Sequence, residues 1–177
     1  MIISETFTLA GSRDRVASLL LDPGRVATCV PGVTGVVEVA PNEYEADLSV
    51  RLGPIKTNFR GSITIDDSRS PERLGAIARG KDQASGSMAT VRFDARLRES
   101  PEPVATLVEA TADVTIRGKL GRFGTGVIGA TAKQMIEDFA SCVDTTLSAR
   151  SLPLLRTFWL GLWARMRSVL VRKKSSR

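Results

Sequence analysis

The chain contains no histidine, and cysteine occurs at only two of its 177 positions. Without histidine there is no Ser-His or Cys-His nucleophile pair and no imidazole ligand for a metal. Cys29 and Cys142 are far apart and form no CxxC pair, so they are expected to be free buried thiols in a reducing compartment. The start, Met1-Ile-Ile-Ser-Glu-Thr, lacks a basic region followed by an apolar run, and no secretory signal is read there. Phosphate-loop and dinucleotide fingerprints are missing too. Gly118, Gly121, Gly124, Gly126 and Gly129 form a glycine-rich run with the wrong spacing for either. The adjacent acids Asp66-Asp67 and Glu137-Asp138 are of the kind that normally sit solvated on a turn or helix. Together these absences point away from an enzyme and away from bound metal.

Acid is absent from one whole region. The last carboxylate is Asp144, and residues 150–177 hold eight of the 25 basic residues and both tryptophans. The remaining 149 residues carry 17 basic and 19 acidic groups, a net of −2, and the tail's +8 turns this into the total of +6. Read as a helix, the tail places Leu155, Phe158, Trp159, Leu162, Trp163 and Met166 on one stripe at the i, i+3, i+4 spacing. Arg165 and Arg167 fall mainly opposite, and Arg172, Lys173 and Lys174 follow. A basic amphipathic helix with Trp and Phe on its oily side suits a bilayer interface. Spanning is disfavoured, because a span needs about 20 apolar residues and a central Arg opposes insertion by roughly 2.5–3.5 kcal/mol. The same stripe would also suit a partner protein or the chain's own body.

The first 149 residues read as one domain. Ile2 to Leu9 is rich in β-branched residues and predicts a strand. Ser12 can cap a helix over 13–21, Asp22-Pro23-Gly24 breaks it, and a second short helix covers 26–30. A strand over 33–39 precedes five more, at 44–52, 55–65, 74–81, 89–98 and 104–116, each with alternating polarity except the weaker third. Such alternation means an antiparallel sheet wet on one side. A long helix over 121–148 follows, with Phe123, Val127, Ile128, Met135, Phe139, Cys142 and Val143 as its buried stripe. The economical fold is α+β, a curved sheet wrapped around the last helix. Its inward face is rich in small residues, among them Ala46, Gly61, Ala76, Ala78, Ala89, Ala95, Ala110 and Ala112. These either let the helix approach closely or leave a dry void for an apolar guest. The void would be lined by Leu48, Val50, Phe59, Ile63, Val91, Phe93 and Val108 from the sheet. Phe123, Val127, Met135 and Phe139 would line it from the helix side. Tyr44, Thr57 and Thr106 are the polar groups available inside for any chemistry.

Three stretches resemble the CoxG family of carbon monoxide dehydrogenase. They are Asp22-Pro-Gly-Arg-Val-Ala-Thr-Cys-Val-Pro-Gly-Val33, Leu52-Gly-Pro-Ile-Lys-Thr-Asn-Phe-Arg-Gly61 and the run from Gly118 to Lys133. The resemblance covers about residues 1–147 and implies a START-like helix-grip fold of the SRPBCC superfamily. It also implies a peripheral accessory protein on the cytoplasmic face of the cell membrane, attached through residues 150–177. The implied partners are anionic lipid, a molybdenum hydroxylase of the CO dehydrogenase type and a lipophilic small molecule such as a respiratory quinone, with no intrinsic cofactor. The alternatives are an adaptor with no guest and a START-like enzyme acting on a hydrophobic substrate. Nucleic acid is not expected, since the basic charge is confined to an oily helix. Relatives separate domain and anchor by a longer linker, so here the anchor is expected close to the cavity mouth. Lys56, Arg60 and Arg122 could face a partner's acids, although isolated charges on a wet sheet are usually only solvated.

Overall fold

A computed structural model describes residues 1–100 and 104–149. The elements run β1 (Ile2–Ala10), α1 (Arg13–Leu20), α2 (Pro23–Val26), β2 (Val33–Ala40), β3 (Glu43–Leu52), β4 (Ile55–Arg69), β5 (Arg73–Asp82), β6 (Met88–Ser100) and β7 (Ala105–Arg117). A 3-10 helix, Lys119–Phe123, then leads into α3, Gly124–Ala149. The seven strands form one antiparallel sheet in the order β1-β7-β6-β5-β4-β3-β2, with α3 packed chiefly on β1 and touching β3. This is the sheet around a helix that the alternating pattern implies, with strands as long as 15 residues that have room to coil.

The two ends of this sheet differ. Turns at 41–42, 70–72 and after Ser100 lie at one end, together with the last turn of α3. The turns at 53–54 and 83–87, and the 3-10 helix, lie at the other. At the first end Leu9, Val16, Leu74, Leu97, Val108, Val143 and Leu147 form the main core, with Phe7 and Phe139 against it. At the second, Leu52, Phe59 and Leu120 pack with Leu48, Val50, Ile116 and Phe123. A third cluster of Ala112, Val114 and Ile128, with Ile3 and Val91, seats the start of α3 on β7.

Several local expectations need correction. Cys29 and Cys142 are not free thiols; their sulfurs are bonded, with the Cα atoms 5.4 Å apart. Sequence distance says nothing about proximity here, because α3 returns over the α1–α2 segment and brings the two together. Asp22-Pro23-Gly24 is not a break but the start of α2, since the Asp22 carboxylate accepts from the Arg25 N–H at 3.2 Å and Pro23 occupies the first turn. The short helix therefore ends at Val26, where the sequence predicts that one begins. Ser12 occupies the cap position of α1, but its side chain makes no capping hydrogen bond. The final helix starts later than 121, after the 3-10 turn, and Val127 points to solvent rather than into the buried stripe (36% exposed).

Candidate functional site

The concave face of the sheet is packed at its two ends and beneath α3 on β7, and is only partly covered where β4, β5 and β6 cross its middle. Phe93 lies on that face, in register with Ala76 on one side and Ala112 on the other, yet it is 46% exposed. An aromatic ring whose cross-strand neighbours are alanines has little to lean on, and the helix that could cover it sits over β1 and β7 instead. Ala78 and Val91 pair in the next position, and Ile63 and Ala78 pair in the strand beyond. The floor of this cleft is thus made of Ala46, Gly61, Ala76 and Ala78, with Ile63, Val91 and Phe93 standing above it.

Small residues on this face are expected either to admit the helix or to leave space. Gly61 does something different. A Cβ built there would lie 1.8 Å from the Arg79 carbonyl oxygen and 2.6 Å from the Gly80 Cα, so β5's backbone occupies the space. The glycine lets β4 and β5 coil tightly. Gly32 has the same character at the other motif, with φ of +83° and a position where a Cβ would meet the Ser49 oxygen at 2.0 Å. Its carbonyl accepts from the Ser49 N–H at 2.8 Å and locks the entry to β2 against β3. These motif residues build the site; they do not line it with chemistry.

Beside Gly32 a crevice of about 410 Å³ opens between β3 and α3, bordered by Ser49, Val50, Arg51, Thr131, Gln134 and Met135. Met135 and Val50 are thereby brought together at an edge of the cleft. Of the other expected lining residues, Val108 and Phe139 belong to the main core, and Leu48, Phe59 and Phe123 to the cluster that closes the second end. The last described residue, Ala149, lies 15 positions along α3 from Gln134, about 22 Å at 1.5 Å per residue. The end of α3 is therefore not beside this crevice, and the anchor expected close to the cavity mouth lies outside the described residues. The proposed membrane-binding residues, Leu155 to Lys174, lie outside the described residues. Among the described ones, no helix is long and apolar enough to cross a membrane.

The inward hydroxyls are already committed. Thr57 donates to the Val50 carbonyl at 3.0 Å and Thr106 to the Gly11 carbonyl at 2.9 Å, and both side chains are buried. Tyr44 is buried near Glu38 and Asp22, and burial, then those two carboxylates, push its phenol above the ordinary value. That environment opposes a phenolate. A larger groove of about 840 Å³ lies away from the cleft, around Arg13 and the β4–β5 turn. Its charges largely compensate one another, Arg13 with Glu72, Arg73 with Asp94 and Arg98 with Glu109. Among the described residues no group of three His, Cys, Asp or Glu side chains could hold a metal.

A polar network that sequence reading passes over secures the second end. Asp82 accepts from the Asn58 N–H at 3.0 Å and the Ser85 N–H at 2.7 Å. Ser85 donates to the Ser87 hydroxyl, which in turn accepts from the Leu120 N–H at 3.1 Å. The available signal is the turn composition Asp82-Gln-Ala-Ser-Gly-Ser87.

The sequence profile of the carbon monoxide dehydrogenase CoxG family matches residues 6–148. No curated protein sequence matches the chain. Among solved structures, a conserved protein from Geobacillus kaustophilus superposes with a TM-score of 0.76 at 20% identity, covering 84% of this chain and 96% of its own. A START superfamily protein from Mycobacterium smegmatis gives 0.65 at 13% identity over 85% and 99% of the two chains. The ZhuI aromatase/cyclase from Streptomyces sp. R1128 gives 0.64 at 15% identity over 85% and 94%. At these identities the likeness is one of fold, the START-like helix grip.

Proposed function

The chain belongs to the CoxG family of carbon monoxide dehydrogenase, and from that membership we propose a peripheral membrane accessory of a CO dehydrogenase-type molybdenum hydroxylase that carries a lipophilic guest. The guest, of the respiratory quinone class, would lie on the partly covered middle of the concave face. The observation that carries this reading is Phe93, an aromatic ring on the inner face of the sheet with alanines beside it and nearly half its surface open. Apolar lining of this kind, with the inward threonine hydroxyls satisfied by backbone, suits a hydrophobic molecule held without chemistry. The same hydroxyls argue for a carrier over an enzyme.

Residues 150–177 are the proposed attachment to anionic lipid. The cytoplasmic side is retained from the family resemblance alone, because the Cys29–Cys142 bond removes the argument from free thiols.

The guest is tested by purifying the full chain from a membrane-containing host, then extracting it with organic solvent alongside native mass spectrometry. A near-stoichiometric quinone-class molecule is expected, and consistently empty protein would sink the carrier reading. Attachment is tested by Trp159→Ala with Trp163→Ala, which should weaken vesicle cosedimentation. Unchanged cosedimentation would remove the tail from the assignment. Co-purification of the full chain with the hydroxylase tests the partner.

A further inference from the structure

We propose that the end of the domain formed by the β3–β4 turn, the β5–β6 turn and the 3-10 helix is itself a docking surface for an anionic bilayer, separate from residues 150–177. This rests on the reading that the protein works at a membrane, and it names where the folded body touches.

The excess positive charge on the nearly neutral body gathers at this end. Residues 51–56, 81–88 and 117–127 carry Arg51, Lys56, Lys81, Arg117, Lys119 and Arg122 against one acid, Asp82. That acid is buried and accepts from backbone N–H groups, so it offers nothing outward. At the opposite end Glu43, Asp66, Asp67, Glu72 and Glu99 are matched by Arg13, Arg69, Arg73, Arg96 and Arg98, so that end is close to neutral.

The six cations are exposed, and among the described residues none is in an ion pair. Arg60, nearby, is excluded because Asp47 holds it at 2.7 Å. Arg51 and Lys56 stand directly opposite each other across the hairpin. Like charges so placed are unfavourable, and among the described residues no ion pair offsets them. An external anion would.

Apolar tips rise among these charges. Ile55 is 43% exposed beside the Gly53-Pro54 turn, and Met88 is 59% exposed, in register between Lys81 and Arg117. Val127 is exposed as well, and a Cβ on Gly53 would contact it at 3.8 Å, so hairpin and helix form one surface.

Aliphatic tips ringed by Lys and Arg suit a headgroup layer, where each basic residue near the surface adds attraction and each apolar tip adds burial. Protein interfaces favour arginine, methionine and aromatics and are depleted in lysine; Lys56, Lys81 and Lys119 make up half of the cations here, and the exposed apolar tips are aliphatic. The surface also adjoins the crevice between β3 and α3. Arg51 belongs to both, and Thr131 at the crevice contacts the Arg51 carbonyl at 3.5 Å. A guest leaving the bilayer at this end would meet this crevice first. Because α3 has 26 residues, about 39 Å at 1.5 Å per residue, the end of the domain nearest the tail is remote from this surface.

The test uses the full chain and vesicles of phosphatidylcholine with and without phosphatidylglycerol. Three proteins are compared: wild type, Lys56→Glu/Lys81→Glu/Lys119→Glu, and Trp159→Ala/Trp163→Ala. All three substituted lysines are exposed, so circular dichroism and thermal midpoint should match the wild type and confirm folding. The charge-reversed protein should partition to phosphatidylglycerol vesicles at least about ten-fold more weakly. The tail variant should keep a residual, salt-sensitive binding that the combined variant loses. Ile55→Ser/Met88→Ser should lower partition while leaving the salt dependence in place.

Wild-type binding that the lysine reversals leave unchanged overturns this surface and leaves the tail assignment standing. Absence of wild-type binding refutes the membrane reading as a whole. Unchanged vesicle binding together with lost binding to an acidic protein reassigns the surface to a protein partner and overturns the proposal.

Discussion

Gly61 and Gly80 face each other across β4 and β5, and a Cβ on Gly61 would lie 2.6 Å from the Gly80 Cα. The coil of the sheet, and with it the concavity of the cleft, depends on that closeness. Gly61→Ala must push the two strands apart because the obstruction is backbone rather than a movable side chain. A loss of at least about 2 kcal/mol in urea unfolding is expected, in the range for overpacked interiors. A change within error would mean that the strands are not so tightly coiled.

If the centre of the cleft is open, it should tolerate bulk. Ala78→Leu adds three carbons between Ile63 and Val91, which in a filled core would be unfavourable by about 1–3 kcal/mol. Here the stability should fall by less than about 1 kcal/mol, while binding of a lipophilic fluorescent probe drops several-fold. Strong destabilisation would show that the space is occupied by protein.

The Cys29–Cys142 bond closes a loop with a sequence separation of 113 and joins the α1–α2 segment to α3. Reduction, or Cys29→Ser with Cys142→Ser, should lower unfolding stability by about 2–5 kcal/mol. Thiol titration of the unreduced, denatured protein should find no free sulfhydryl. Two titratable thiols would restore the free-cysteine expectation.

Asp82 gives a pH signature. Burial pushes its carboxyl up, but hydrogen bonding from Ser85, Asn58 and Ala84 outweighs that and holds it below the usual value. Its contribution is therefore present above the unfolded pKa of about 3.9 and is lost as pH falls through the lower folded one. Asp82→Asn should be destabilising by about 1–3 kcal/mol at neutral pH, since buried N–H groups lose a charged acceptor. The variant should also lose less additional stability than the wild type on acidification from about pH 5 to pH 3. Parallel curves for the two proteins would remove Asp82 as the source.

Most of the architecture is legible because period-two alternation dictates which side of each strand is dry. Val91, Phe93, Ala95 and Leu97 declare their face without any knowledge of partners, and so do Leu48 and Phe59. Which of them are sealed and which are left uncovered is not legible. That is set by where α3 crosses the sheet: Val108 is locked beneath Phe139 and its neighbours, while Phe93, one strand away, is left open. The Asp22 cap illustrates a smaller ambiguity, since Asp-Pro-Gly serves equally as a helix stop or a helix start until its hydrogen bond is placed.

The order of amino acids alone determined the curved antiparallel sheet, the long closing helix, the family motifs and the segregation of positive charge beyond Asp144, since these follow from local periodicity and composition. Tertiary structure decided the joining of Cys29 to Cys142, the use of Gly61 against a neighbouring strand and the gathering of six exposed cations at one end. Each of these depends on which distant segments are brought within a few ångströms, and proximity of that kind is a property of the folded path and not of any stretch of residues.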